Sequence, residues 1–130
     1  MTDKHILIIE DNAFINSAYG TKFNRESIPY KIAVDGEEAL AKLQDEAGKL
    51  PAVIILDLIL PKKNGFEVLS VIKNDPRIKM IPVIVITNLN QEIERRRAME
   101  LGASEYLVKA DTKIDMLVDK VRKYLAYQAT

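Results

Sequence analysis

Five short apolar runs, dominated by isoleucine and valine, recur along the chain at Ile6–Ile9, Tyr30–Val34, Val53–Leu56, Val83–Ile86 and Tyr106–Val108, each bounded by Asp, Gly, Pro or Asn. Runs this short, apolar at nearly every position, predict strands covered on both faces, as in a parallel sheet wrapped by helices. The segments between them carry helical spacing instead: Ile15, Ala18, Tyr19 and Phe23; Ala39, Leu40, Leu43 and Ala47; Phe66, Leu69 and Ile72; Ile93, Ala98 and Leu101; Ile114, Leu117, Val118, Val121 and Leu125. Asp35 before Gly36-Glu37-Glu38 reads as a helix N-cap with an acidic first turn, and Gly48 and Gly102 stand where helices are expected to stop. Pro51, Pro61, Pro76 and Pro82 fall in the connections. Five strand–helix alternations joined by right-handed crossovers make a doubly wound α/β sandwich on a five-stranded parallel sheet, with reactive groups gathered outside the carboxyl ends of the strands.

A length of 130 residues suits one domain, 1–130, and no separate output domain is expected after the last helix. Lys and Arg together number 19 and so do Asp and Glu, so no global positive field exists to grip a nucleic-acid backbone or an anionic membrane. The absence of cysteine removes disulfides, thiolate metal sites and thiol nucleophiles, and a single histidine, His5, cannot form a histidine cluster. His5 is expected at the surface, at a strand start. The apolar run beginning at Ile6 is too short for a signal peptide or a membrane span, so a cytoplasmic domain is expected.

At the predicted strand ends stand Glu10 and Asp11 after the first, Asp57 after the third, Thr87 after the fourth and Lys109 after the fifth. Two carboxylates about 4 Å apart repel by about 4 kcal/mol at an effective dielectric near 20, so three gathered in one crevice call for cations. Lys109 supplies one positive charge. An all-oxygen donor set favours Mg²⁺, or Mn²⁺, over zinc for the remainder. A metal and a lysine offsetting charge on phosphoryl oxygens, beside an isolated strand-end aspartate, suit phosphoryl transfer to that carboxylate. Asp57 is the nucleophile by position, and Thr87 offers a hydroxyl to a bound phosphoryl group.

The residues at these strand ends resemble the receiver domain of two-component response regulators, over essentially the whole chain. The similarity is carried by Ile6-Leu7-Ile8-Ile9-Glu10-Asp11, by Ile55-Leu56-Asp57-Leu58-Ile59-Leu60-Pro61 with Gly65, by Ile86-Thr87, and by Gly102-Ala103 with Tyr106-Leu107-Val108-Lys109. The resemblance implies a flavodoxin-like strand order of 2-1-3-4-5. It also implies a switch whose Asp57 accepts a phosphoryl group from a sensor histidine kinase or phosphotransfer protein, with no enzymatic activity beyond its own phosphoryl transfer and dephosphorylation. By the same resemblance Mg²⁺ is held by Asp11, Asp57 and the backbone carbonyl of Ile59, with Glu10 acting through water. Thr87 and Tyr106 become switch residues, and the fourth helix, last strand and last helix become the face for a downstream protein target.

The sequence departs from that pattern at several points. Ala110 follows Lys109 where proline and a cis bond are common, and since a non-proline cis bond costs about 2.5–4 kcal/mol the expectation is trans, with Asp111 and Thr112 capping the final helix. Asn88 follows the threonine where a small residue is usual, and Ile59 and Leu89 are apolar where some relatives position an attacking water. Tyr106 reads equally as a half-buried strand aromatic, and Arg95-Arg96-Arg97 as a solvated helix face. The main alternative function is a pseudo-receiver, a non-phosphorylated interaction module, against which all five site positions are filled. A flavin binder and an aspartyl phosphatase are disfavoured, the first because Glu10-Asp11 repels a phosphate and the second because an Asp-x-Asp arrangement is missing from the first strand end.

Overall fold

The computed structural model describes residues 4–45 and 47–127. The elements follow in strict alternation: β1 (Ile6–Ile9), α1 (Ala13–Arg25), β2 (Tyr30–Ala33), α2 (Gly36–Gln44), β3 (Val53–Leu56), α3 (Gly65–Asn74), β4 (Val83–Thr87), α4 (Glu92–Leu101), β5 (Glu105–Val108) and α5 (Ile114–Tyr127). The strands form one parallel sheet, as the apolar runs predict, in the order β2-β1-β3-β4-β5 that the resemblance implies.

Successive side chains of a strand point to opposite faces, and both faces here are apolar. Leu7, Ile9, Ile54, Leu56, Val83 and Val85 pack with Leu40, Leu43, Leu69 and Ile72 of α2 and α3 on one side. Ile6, Ile8, Val53, Ile55, Ile84 and Ile86 meet Tyr19, Phe23, Leu117, Val118 and Val121 of α1 and α5 on the other. Two-sided burial explains the unbroken apolar runs. Each fully buried Ile or Leu contributes about 1.5–3 kcal/mol relative to exposure.

Local chemistry sets the helix ends. Asn12 caps α1 by accepting from the Ile15 N–H at 3.0 Å, and Asp35 caps α2 by accepting from the Glu38 N–H at 2.7 Å. Asn64 and Glu67 form a capping box on α3. Gly102, at φ 113°, closes α4 in a left-handed conformation that a side chain would disfavour.

The structure corrects several expectations. α2 stops at Gln44 and not at Gly48, leaving Ala47 outside the helix. The stop is made by a distant side chain: Arg77 donates to the Leu43 carbonyl at 2.7 Å and to the Asp45 carbonyl at 3.1 Å. Ile93 is 71% exposed and Ala98 is the buried residue of α4. Ala18 is exposed as well. His5 is buried, because the connection from α2 to β3 folds over the start of β1. β2 ends at Ala33, one residue early, while β4 runs on to Thr87 and β5 begins at Glu105. Among the described residues no helix is long and apolar enough to cross a membrane.

Candidate functional site

Strand register places the chemistry. Ile9 pairs with Leu56, so the next residues, Glu10 and Asp57, emerge side by side. Leu56 pairs with Val85 and Thr87 with Val108, which brings Thr87 and Lys109 to the same edge one step further along. The parallel sheet thereby converts four distant stretches of sequence into one crevice.

Glu10 and Asp57 are each fixed by a backbone donor. Glu10, 2% exposed, accepts at Oε2 from the Asn12 N–H at 2.9 Å, and its carbonyl accepts from the Asn16 side-chain amide at 2.7 Å. Asp57, 4% exposed, continues the β3 ladder by donating its N–H to the Ile9 carbonyl at 3.1 Å, and its Oδ1 accepts from the Ile59 N–H at 3.0 Å. Asp11 remains exposed. One oxygen from each of Glu10, Asp11 and Asp57 lies within 4.8 Å of the others, an oxygen-only donor set that fits a hard divalent cation.

The loop after Asp57 is tightly folded. The Gly65 N–H donates to the Leu58 carbonyl at 2.9 Å, and a Cβ on Gly65 would collide with the Asp57 carbonyl and the Leu58 backbone. Lys62 takes a left-handed backbone at φ 68°, a conformation that costs a non-glycine residue about 1–2 kcal/mol. Ile59 projects into solvent beside the carboxylates.

Lys109 bridges the pocket, with Nζ 2.5 Å from Glu10 Oε1 and 2.6 Å from Asp57 Oδ2. Both contacts are short, charge-assisted hydrogen bonds. Burial pulls the ammonium towards neutrality, but the bonds to Asp57 and Glu10 outweigh it and hold its pKa above the ordinary value. Burial pushes the Glu10 carboxyl up against the opposing pull of Lys109 and the Asn12 N–H. One ammonium faces three carboxylates, so the crevice keeps a net negative charge with room for a further cation.

Thr87 is fully buried, and its hydroxyl accepts a long 3.4 Å contact from the Leu89 N–H. The Tyr106 hydroxyl donates to the Leu89 carbonyl at 2.8 Å, and the ring is buried beneath the Arg95 guanidinium, 6.0 Å from its centroid. Tyr106 therefore reaches the β4–α4 connection rather than the carboxylates. Arg97 lies 4.1 Å over the Phe66 ring, so two members of the basic run are stacked on aromatics.

The Lys109–Ala110 peptide is trans, as expected, and residues Lys109–Asp111 form a short 3-10 turn. Thr112 does not turn towards α5 as a cap: its hydroxyl donates back to the Val108 carbonyl at 2.8 Å. Sequence reasoning missed Asn16, a polar residue inside the apolar stripe of α1 whose break in that stripe was its only signal. Its amide holds the Glu10 carbonyl while its Oδ1 is buried without a partner, an arrangement costing about 1–3 kcal/mol.

A family model described as the response regulator receiver domain matches residues 6–122. The chain belongs to the response regulator receiver family. The receiver is 35% identical over 119 residues to the response regulator Rcp1 of Synechocystis sp., covering 87% of this chain and 81% of that protein. A crystal structure of the Mn²⁺-bound form of Rcp1 superposes with a TM-score of 0.77 at 37% identity, covering 87% of this chain and 86% of that one. The phosphorylated cyanobacterial phytochrome response regulator RcpA gives a TM-score of 0.86 at 30% identity, covering 99% and 98% of the two chains. Other relatives are longer: the chain spans only 14% of the gliding motility regulatory protein of Myxococcus xanthus and 40% of the transcriptional regulator ycf27 of Guillardia theta.

Proposed function

We propose that this receiver is a phosphorylatable switch of a two-component phosphorelay, accepting a phosphoryl group on Asp57 from a phosphohistidine of a sensor kinase or phosphotransfer protein. The observation that carries the reading is the bridge from Lys109 to Asp57 and Glu10, with the Thr87 hydroxyl at the same sheet edge. A carboxylate oxygen of Asp57 attacks phosphorus as the bond to the donor imidazole nitrogen breaks, and the imidazole leaves with a proton from solvent. Hydrolysis of the resulting acyl phosphate by water returns Asp57. The Ile59 N–H orients the attacking carboxylate, and Lys109 and Thr87 receive phosphoryl oxygens as Lys109 exchanges its contact with Asp57.

A divalent cation, Mg²⁺ by abundance of oxygen donors, would be held by Asp11, Asp57 and the Ile59 carbonyl, with Glu10 acting through water. When bound, it offsets negative charge on the transferring group. The Mn²⁺ of Rcp1 and the phosphorylated state of RcpA support both parts of this reading. In the proposed switch, phosphorylation draws Thr87 inward, releases its contact with Leu89 and, through Tyr106, alters the face formed by α4, β5 and α5, which meets a downstream protein. The chain catalyses only its own modification.

The test is intact mass after incubation with acetyl phosphate and Mg²⁺. The expected outcome is one phosphoryl adduct on the parent and none on Asp57→Asn. An adduct retained by Asp57→Asn overturns the assignment, and no adduct on the parent, from acetyl phosphate or from a panel of sensor kinases, returns the pseudo-receiver.

A further inference from the structure

The amino-terminal edge of the sheet, opposite the carboxylates, holds a second collection of charge with the reverse sign. The α2–β3 connection closes over the start of β1 and β2 and leaves a cavity of about 130 Å³, lined by His5, Lys31, Lys42, Leu43, Asp45 and Lys49. His5 forms the inner part of this lining, being only 8% exposed. No described residue forms a hydrogen bond with its imidazole. The imidazole nitrogens are not sealed from solvent, so they open onto the cavity, where a ligand can bond to them.

The charges around the cavity are unequal. Lys31 on β2 and Lys42 in the last turn of α2 have no ion-pair partner among the described residues, whereas Lys49 is engaged in an interaction of its own. Asp45, the single acidic group among the described residues of the lining, spends Oδ1 on the Ala47 N–H at 3.0 Å. Burial first, then the neighbouring Lys31 and Lys49 charges, hold the His5 pKa below its ordinary value. An anion entering the cavity would reverse the sign of that local field. The chemical requirements are a small, multiply charged group with several acceptor oxygens, since lysine ammoniums are donors only and the imidazole donates from at least one nitrogen.

The geometry points to a phosphate-binding site built from His5, Lys31 and Lys42, distinct from the phosphoacceptor crevice and at the other end of the strands. The ligand is a phosphate dianion, either free or at the end of a small monoester, and the cavity has room for the group. Binding there is independent of chemistry at Asp57.

His5 is the only histidine of the chain, so its imidazole proton resonances report the site without assignment. Inorganic phosphate is titrated into the full chain in chelator, with sodium chloride at matched ionic strength as the control. The expected result is a saturable shift of the His5 signals, a rise in the His5 titration midpoint, and affinity about fivefold weaker in each of Lys31→Ala and Lys42→Ala. Those surface lysines can be removed with the fold and the reporter intact. A parallel titration with phenyl phosphate distinguishes the sources: binding of inorganic phosphate alone supports a free anion, and binding of both supports the phosphate group of a larger molecule. Equal shifts with phosphate and chloride, or unchanged affinity in both lysine variants, overturn the proposal.

Discussion

Lys109 Nζ lies 2.6 Å from Asp57 Oδ2, a contact that joins the ends of β5 and β3 across 52 residues of sequence. The same ammonium reaches Glu10 at the end of β1. Without it, two nearly buried carboxylates would face one another with no counter-charge from the protein.

Lys109→Met is therefore expected to destabilise the metal-free chain by about 3–5 kcal/mol, the cost of leaving buried charge unpaired. Urea unfolding in chelator measures it. Added Mg²⁺ should recover part of the loss, and an unchanged midpoint would show that the bridge contributes nothing to folding.

The two adjacent acids should respond in opposite directions. Asp11 is exposed and adds negative charge, so Asp11→Asn is expected to raise stability in chelator by about 0.5–1 kcal/mol while weakening divalent-metal binding most strongly. Glu10 is buried and accepts from Lys109 and the Asn12 N–H, so Glu10→Gln is expected to lower stability. Thermal melts with and without Mg²⁺ separate the two, and parallel behaviour would contradict the division.

Gly65→Ala should do more damage than its size suggests. The added Cβ meets the Asp57 carbonyl and the Leu58 backbone, neither of which can rotate away, so the loop must move. Stability is expected to fall by more than about 2 kcal/mol and acceptance of a phosphoryl group from acetyl phosphate to slow. Near-parent rates and melting temperature would show that the loop yields easily.

The pH dependence of stability carries a histidine signature. Burial, followed by Lys31 and Lys49, lowers the folded-state pKa of His5. Between that lowered value and the ordinary value near 6.5 the unfolded chain binds more protons than the folded one, so stability is complete above about pH 6.5 and falls as pH drops through the window. Denaturant midpoints in a buffer without phosphate should show that decline in the parent and a flatter profile in His5→Gln. A parent profile flat from pH 7 to 5 would remove His5 from the account.

Tyr106→Phe removes only the hydroxyl that donates to the Leu89 carbonyl, and is expected to cost about 1 kcal/mol. Tyr106→Ala, which empties a buried aromatic site, should cost about 3–5 kcal/mol. If the two variants melt together, the ring packing is immaterial.

The sheet and the crevice were legible in the sequence because both depend on strands, whose apolar runs and terminal polar residues are contiguous. Asp57 follows Leu56 whatever the helices do. What escaped depended on groups far apart in the chain. The end of α2 is set by Arg77, more than thirty residues later, so Gly48 was a reasonable but mistaken stop. His5 looked exposed because the segment that covers it belongs to another connection. Ile93 has the spacing of a buried residue, yet Ala98, Arg97 over Phe66 and the Tyr106 contact with Leu89 settle how α4 lies.

The shallow burial of α4 sets a hierarchy of opening events. β1, β3 and β4 are buried along their whole lengths, so their amides exchange with solvent only when the entire domain unfolds. α4 is held by buried Ala98, half-buried Leu101, two stacked guanidiniums and the neighbouring Tyr106–Leu89 bond, so its amides can exchange through a local excursion costing a fraction of the global free energy. Deuterium uptake would then fill α4 well before the central strands, marking it as the segment whose position the rest of the fold leaves negotiable.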